Sequence, residues 1–280
     1  MFSIAYRMLG SVAEAEDITQ ETLLRLHRDR DRIDSAEAYA VTVTTRLAID
    51  QLRSARRRRE RYVGSWLPEP LLTTGADADP AVRAEAAETL STAFLVVLES
   101  LSPTERAVFL LREVFQYDYP EIASIVERTA TNCRQILARA RAHIDAHKPR
   151  FEVSAAQRAA LAERFFAASR DGDLAGLERL LAADVAFYGD GGGKAPAVAK
   201  PVRGRVQVAR FVAGLLRRAA FDHLQVRPAS VNGQPGLQIF APDGAVLAVL
   251  SLHIADGQVQ AIHNVLNPDK LRHVPPAPPG

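Results

Sequence analysis

From Met1 to Gly64 the apolar positions recur at helical spacing. In the stretch Ala40 to Arg53, Val41, Thr45, Ala48, Ile49 and Leu52 fall on one side, while Thr42, Arg46 and Arg53 fall on another. In "AEAEDITQETLLRL" the same period assigns Ile18, Leu23 and Leu26 to a core and turns Asp17, Gln20, Glu21 and Arg25 outward. The pattern stops at residues 65–79, where "WLPEPLLTTGADADP" is too rich in Pro, Gly, Thr and Asp to sustain a long helix and reads as a linker. Helical spacing resumes over residues 80–149. Within it, "LSPTER" is a helix start: Ser102 caps, and Pro103 sits in the first turn, where a proline loses no hydrogen bond. The run "YPEIASIVERTATNCRQILARARAHI" then predicts two helices joined by a short turn. Ile122, Ala123 and Val126 face inward from the first, Ile136 or Leu137 with Ala140 and Ile144 from the second, and Thr129 is its N-cap.

The period changes after Pro149. Residues 150–273 predict an amphipathic helix from Ala155 to Arg170, a short one from Leu174 to Leu181, and strands at "DVAFYGD", "LQIFA", "AVLAVLSLHI" and "QVQAIHNVL". Helices packed on a curved antiparallel sheet satisfy that order. Residues 274–280, within "VPPAPPG", form a proline-rich tail. The expected fold class is therefore multidomain: two all-α domains followed by an α+β domain.

Composition narrows the setting. At 280 residues the chain can build several ordinary cores, and its net charge of +2 conceals basic clusters at Arg53 to Arg61 and Arg128 to Arg141 beside an acidic one at Glu14 to Glu21. The single cysteine, Cys133, excludes an internal disulfide framework and a four-cysteine zinc site, which fits a reducing compartment, the cytoplasm. No apolar run approaches the ~20 residues that span a bilayer, and no signal-like start is present, so no membrane association is expected.

Six arginines lie between Arg53 and Arg61, directly behind a helix that carries Tyr39, Thr42 and Arg46. A positive groove with hydroxyls and an aromatic suits a nucleic-acid backbone and an unpaired base. A solvated basic helix end would show the same residues. The acidic face of Asp17, Gln20 and Glu21 would repel DNA and better suits a basic protein surface, although an ordinary charged helix face is the plainer reading. The helix pair at 119–144 has helix-turn-helix spacing, and its second helix offers Asn132, Arg134, Gln135 and Arg139 to a major groove. Against it, Glu127 occupies a turn position that a glycine would relieve.

The loop "YGDGGGKAP" is not a phosphate loop, because it lacks two glycines bracketing four residues before Lys and Ser or Thr; a tight connection between strands is expected. His223, His253, His263 and His273 share no ligand spacing, so neither metal nor cofactor is expected. Tyr188, Asp190, His253 or His263 could line a pocket in the last domain, but no acid and base are paired by spacing, and no catalytic residue is assigned.

On these segments the chain resembles a bacterial extracytoplasmic-function (ECF) RNA polymerase sigma factor, and more narrowly the sigma-J-like subgroup with a fused C-terminal SnoaL-like domain of the NTF2-like superfamily. The resemblance rests on "IAYRMLGSVAEAEDITQET" and "RLAIDQLRSARRRRERYVG" for region 2 and on "LSPTERAVFLLREVF" and "NCRQILARARAHI" for region 4. It rests further on three short motifs, "WLPEP", "DGGGK" and "NPDKL", at Trp66, Asp190 and Asn267. It implies region 2 at 1–64, a linker at 65–79, a region 4 helix-turn-helix at 80–149 and a SnoaL-like cone at 150–273.

That resemblance implies a factor that is not an enzyme, but binds core polymerase and recognises the minus-10 and minus-35 promoter elements. Asp17, Gln20 and Glu21 would contact the beta-prime clamp helices, with the beta flap as a second polymerase partner. Tyr39, Thr42, Arg46, Arg53, Arg56 and Arg57 would bind minus-10 DNA, and Asn132, Arg134, Gln135 and Arg139 the minus-35 element. Trp66, Leu67, Pro68, Asp190, Gly191, Lys194, Asn267, Pro268, Asp269 and Lys270 would form an interdomain regulatory contact, with an unidentified small ligand conceivable in the cone. The alternatives are an NTF2-like enzyme or small-molecule sensor fused to a DNA-binding module, and a DNA-binding regulator that works without polymerase.

Overall fold

A computed structural model describes residues 1–59, 62–73, 89–145, 154–216 and 223–277, without the side chains of 55–59, 145 and 216. The chain divides into two compact units, Met1–Arg61 with Leu95–Lys148, and Tyr62–Phe94 with Pro149–Gly280.

The first unit is helical. Helices α1 (Phe2–Leu9), α2 (Val12–Arg28) and α3 (Ala36–Arg59) pack around Tyr6, Met8, Ala15, Ile18, Ala48 and Leu52. Gly10 ends α1 in the left-handed region at φ 66°, where glycine carries no Cβ penalty, and Ser11 starts α2 by accepting from the Glu14 N–H. The buried stripe of α2 is Val12, Ala15, Ile18 and Thr22, with Thr22 hydrogen-bonded to Thr44 of α3 at 3.2 Å. That phase corrects the sequence reading of Leu23 and Leu26. Leu23 stands one residue past the stripe and is 47% exposed, and Leu26 is half-buried.

Helix α4 (Thr92–Leu98) carries the chain from the second unit back into the first. Helix α5 (Pro103–Phe109) starts on a capping box in which Ser102 and Glu105 satisfy each other's backbone N–H, and it widens into a π-turn over Leu110–Val114. Helices α6 (Tyr119–Val126) and α7 (Ala130–Asp145) follow. Ile122, Ile125 and Val126 of α6 are buried, as are Cys133, Ile136, Leu137, Ala140 and Ile144 of α7, while Ala123 is half-buried. Arg106 ties this segment to α1. Its buried guanidinium donates to the carbonyls of Leu98 (2.9 Å) and Met8 (2.6 Å) and pairs with Glu99 at 2.7 Å.

The second unit is an α+β cone. Helices α8 (Ala155–Asp171), α9 (Leu174–Leu180) and α10 (Arg205–Leu216) cover a six-stranded sheet. Its strands are β1 (Leu181–Asp190), β2 (Val202–Arg203), β3 (Gln225–Val231), β4 (Gln234–Phe240), β5 (Val246–Ala255) and β6 (Gln258–Val265), in the order β2-β1-β6-β5-β4-β3. Phe165, Leu177, Leu181, Val185, Phe187, Val208, Leu252 and Ile262 fill the core between helices and sheet.

The sheet is mixed rather than antiparallel throughout, because β1 and β6 run parallel at its centre. They are joined not by a hairpin but by α10 and four intervening strands, a connection long enough to return the chain in the same direction. The hairpins at Asn232-Gly233 and Asp256-Gly257 place both residues at positive φ, the turn that matches strand twist. Among the described residues no helix is long and apolar enough to cross a membrane.

Candidate functional site

The segment from Tyr62 to Thr73 belongs to the second unit and is held along its length. Its prolines at 68 and 70 cannot donate, so the chain stays extended and its neighbours are satisfied from outside. The Leu67 N–H donates to Asp190 Oδ2 at 2.8 Å, and the Leu67 carbonyl accepts from Lys270 Nζ. His273 Nε2 bonds the Pro70 carbonyl at 2.8 Å. Farther on, Leu71 and Thr73 extend the β3 edge: Asn232 N–H donates to the Leu71 carbonyl at 2.7 Å, and Thr73 N–H to that of Ser230 at 2.9 Å. Leu72 pairs with Val231 between them.

Asp190, at the end of β1, is the hub. Its carboxylate is fully buried and accepts from the Tyr62 hydroxyl, the Leu67 N–H and Lys270 Nζ, the last at 2.7 Å. Asn267 Nδ2 in turn donates to the Tyr62 oxygen at 2.8 Å, and the backbone N–H groups of Leu266 and Asn267 both reach the Asp190 carbonyl. Burial, followed by the bond to Asp190, raises the Tyr62 phenol above its ordinary range. The Lys270 ammonium also lies over two rings, 4.3 Å from Trp66 and 4.9 Å from Tyr62.

The glycines of "DGGGK" make room for this. Gly192 has φ 57°, and a Cβ there would come within 2.2 Å of Asn267 Nδ2 and 2.8 Å of the Tyr62 hydroxyl. Gly191 is similarly closed off, because a Cβ would meet the Ala195 carbonyl oxygen at 2.2 Å. Lys194, by contrast, is exposed and pairs with Asp269, which also takes Arg272 at 2.6 Å; Lys194 is the first cause of a lowered Asp269 pKa. Thus the three short motifs meet at one buried cluster, with Trp66 half-buried, Leu67 and Pro68 buried, and Pro268 exposed. Tyr62 and Asn232 escaped the sequence reading, and His273 entered it only as a rejected metal ligand. For Asn232 the Asn-Gly dipeptide was an available hairpin signal; Tyr62 and His273 carried none.

In the first unit, Asp17 and Gln20 are exposed on α2, and Glu21 pairs with Arg25 at 2.6 Å. Leu23 and Leu24, 47% and 67% exposed, stand one helical turn from Gln20 and add apolar area to this acidic face. On α3, Tyr39 donates its hydroxyl to Asp29 at 2.5 Å, Thr42 donates back to the Ala38 carbonyl at 2.8 Å, and Arg53 pairs with Asp50 at 2.9 Å. Arg28 first, then Tyr39, holds the Asp29 carboxyl down at about 2. The side chains of Arg56 and Arg57 lie outside the described residues.

Arg46 makes the longest-range contacts of that helix. It donates to the carbonyls of Ser124 (2.9 Å) and Ile125 (3.0 Å) at the C-terminus of α6, and pairs with Glu127 at 3.1 Å. Glu127 occupies the left-handed region at φ 55°. On α7, Asn132, Arg134, Gln135 and Arg139 are all exposed, opposite the buried stripe, and the Thr129 hydroxyl accepts from the Asn132 N–H at 3.1 Å. Arg134 rests over the Tyr119 ring at 4.7 Å, and Arg139 is 3.9 Å from Glu105.

A cavity of about 460 Å³ lies on the core side of the sheet, among Phe187, Val198, Phe211, Asn264 and Leu266. None of Tyr188, Asp190, His253 and His263 lines it, contrary to the sequence expectation. Residues 187 and 189 alternate with 188 and 190 along β1, so Tyr188 and Asp190 belong to the other sheet face. There Tyr188 stacks on His263 at 5.4 Å.

Comparison with known proteins covers all of these segments. Residues 1–58 match the model for Sigma-70 region 2, residues 91–144 that for Sigma-70, region 4, and residues 162–265 that for the SnoaL-like domain. The ECF RNA polymerase sigma factor SigJ of Mycobacterium tuberculosis (strain ATCC 25618 / H37Rv) is 38% identical over 98% of this chain and 91% of its own. The probable ECF RNA polymerase sigma factor SigI of Mycobacterium tuberculosis (strain CDC 1551 / Oshkosh) is 32% identical over 97% of this chain and 91% of its own. The crystal structure of Mycobacterium tuberculosis SigJ is similar with a TM-score of 0.77 at 36% identity, over 96% of this chain and 94% of that one.

Proposed function

The chain belongs to the ECF RNA polymerase sigma factors, which direct core polymerase to promoters, and on that premise we propose that its SnoaL-like domain regulates initiation in cis through the linker. The observation that carries the proposal is the grip of Asp190 and Lys270 on Tyr62 and Leu67. That linker joins the segments matched to regions 2 and 4, whose promoter elements are read together. Whatever shortens the free span of a linker limits the separations its ends can reach. Release of residues 62–73 would lengthen that span, and capture would shorten it.

In this reading Asp17, Gln20 and Glu21, with Leu23 and Leu24, engage the beta-prime clamp helices, and the region 4 segment engages the beta flap. Tyr39, Thr42, Arg46 and Arg53 bind the separated minus-10 strand, with Arg56 and Arg57 on the phosphates. Asn132, Arg134, Gln135 and Arg139 enter the minus-35 major groove, to which their shared exposure on α7 is suited. Arg46 cannot hold the end of α6 and a DNA strand at once, so its present bonds describe a resting arrangement of the first unit. No catalytic residue is assigned, and the work on promoters places the protein in the cytoplasm.

Run-off transcription with purified core polymerase tests the regulatory role. The wild-type chain is compared with Tyr62→Phe and Trp66→Ala on promoters whose spacer between the two elements is lengthened or shortened by a base pair. A changed spacer preference in the variants is expected. The same transcript levels and the same preference in all three proteins would remove the case for regulation through the linker.

A further inference from the structure

The ring of Tyr119, at the start of α6, gathers two guanidiniums. Arg134 of α7 lies over it at 4.7 Å, and Arg112 lies over it at 5.1 Å. Arg112 belongs to the π-turn Leu110–Val114, a widening of the helix of a kind that recurs at functional sites. Its guanidinium also donates to the Tyr117 carbonyl at 2.8 Å, so the π-turn grips the approach to α6 through both backbone and ring. The backbone that carries the ring is fixed in turn. Asp118 accepts from the Glu121 N–H and Glu121 from the Asp118 N–H, both at 2.9 Å, with Pro120 in the first turn of the helix.

Arg134 is held differently from the other exposed arginines of α7. Arg139 lies 3.9 Å from Glu105 and Arg141 2.7 Å from Glu113, whereas Arg134 makes no hydrogen bond or ion pair among the described residues. An aromatic ring attracts a guanidinium through its negative face and occupies none of its N–H groups. The donor fork of Arg134 therefore stays available to an acceptor outside the chain. An exposed arginine otherwise samples many rotamers, and losing them on binding is a cost that pre-organisation removes.

We propose that Tyr119 is a positioning residue for promoter recognition: its ring holds the Arg134 guanidinium in the orientation that reads a base of the minus-35 element, and Arg112 braces the ring. The inference rests on the reading of Arg134 as a base contact. It assigns Tyr119 no contact of its own with DNA. The aromatic face is what matters, so phenylalanine should replace tyrosine and an aliphatic or amide side chain should not.

The test uses the full chain assembled with core polymerase to enrich randomised duplexes, followed by anisotropy on the enriched sequence and its single-base variants. Arg134→Ala should flatten the preference at one base pair about fivefold or more. Tyr119→Leu should flatten the preference at that same base pair about two- to fivefold and spare the other positions. In the double variant it should add nothing to Arg134→Ala, because it acts through that residue. Tyr119→Phe should keep the wild-type preference. Thermal unfolding checks each variant, and Tyr119→Gln takes the place of the leucine if that variant does not fold.

An unchanged preference in the variants without a ring, or an equal loss at every position, would overturn the positioning role. A loss in Tyr119→Phe would also overturn it and would mark the phenol as a DNA contact. If Arg134→Ala alone relaxes the preference, the inference fails and the base contact stands. If Arg134→Ala changes no preference, the base contact fails and the inference falls with it.

Discussion

Arg46 of α3 and Glu127 at the C-terminal end of α6 form an ion pair at 3.1 Å, reinforced by two bonds from the same guanidinium to the carbonyls of Ser124 and Ile125. The residue that strains the turn is thus the one that engages a proposed minus-10 side chain. Replacement by glycine separates the two effects. Glu127→Gly should relieve a left-handed conformation costing ~1 kcal/mol or more and lose an exposed pair contributing ~0.5 kcal/mol. Stability to urea should stay level or rise slightly. Anisotropy of a labelled minus-10 strand should show modestly tighter binding once Arg46 keeps only its two bonds to the Ser124 and Ile125 carbonyls; unchanged or weaker binding would mean that the pair does not restrain Arg46.

Lys270→Met leaves the Asp190 carboxylate buried beside Tyr62 without its cation. A buried ion pair broken from one side costs ~3–5 kcal/mol, so the second unit should unfold at clearly lower denaturant by Trp66 fluorescence. The exposed partner of the same motif behaves differently. Lys194→Ala removes a pair with Asp269 in which both side chains reach solvent, and a loss below ~1 kcal/mol is expected. Equal losses in the two variants would contradict the division between a buried hub and a solvated rim.

Two histidines make the second unit sensitive to acid. Burial, with a smaller contribution from Arg158, depresses His253 to about 4; burial, with a smaller contribution from His253, depresses His263 to about 3. Both sit below the ordinary value of 6.5 that they regain on unfolding. The unfolded chain therefore binds more protons over that interval, and stability falls as pH drops below 6.5 toward 4, with a slope of up to ~1.4 kcal/mol per pH unit for each histidine. Urea midpoints at pH 7 and pH 5 measure this. A double His253→Gln, His263→Gln variant should show a flatter profile, and identical profiles would assign the acid sensitivity elsewhere.

On α2, Leu24 is 67% exposed beside Gln20. Leu24→Glu should leave the thermal unfolding of the chain nearly unchanged, because little buried area is lost. If this face docks on polymerase, affinity for core enzyme measured by a fluorescence titration should fall about tenfold, through loss of apolar burial at a protein interface.

Arg134 lies over Tyr119 and is exposed on α7. Arg134→Ala should lower affinity for duplex minus-35 DNA by ~1–3 kcal/mol if it reads a base, and relax preference at one position. A uniform loss across sequences with a reduced salt slope would instead mark it as a phosphate contact.

Much of the architecture was legible because its signals are local. The caps at Ser102 and Thr129, the exposed stripe of Asn132, Arg134, Gln135 and Arg139, and the helices at 155–171 and 174–180 follow from spacing and hydrogen-bonding chemistry within a few residues. Phase errors arose where an apolar residue stood next to the true stripe, as Leu23 did beside Thr22, whose hydroxyl is accommodated only because Thr44 faces it from another helix.

The sequence by itself determined that the loop from Tyr188 to Pro196 was unsuited to phosphate binding and that the four histidines His223, His253, His263 and His273 shared no metal-ligand spacing, since those chemistries require residue types and spacings that are absent; the resemblance grouped Asp190 and Lys270 with Trp66 and Leu67 but gave no geometry. Only the tertiary structure decided which groups they bond. A parallel pairing of β1 with β6 brings Asp190 to Asn267 and Lys270, and the proline-held linker supplies Tyr62 and Leu67 from more than a hundred residues away. The buried hub is a property of chain crossing rather than of spacing. A carboxylate and an ammonium so distant in sequence disclose their partnership only when burial makes each depend on the other.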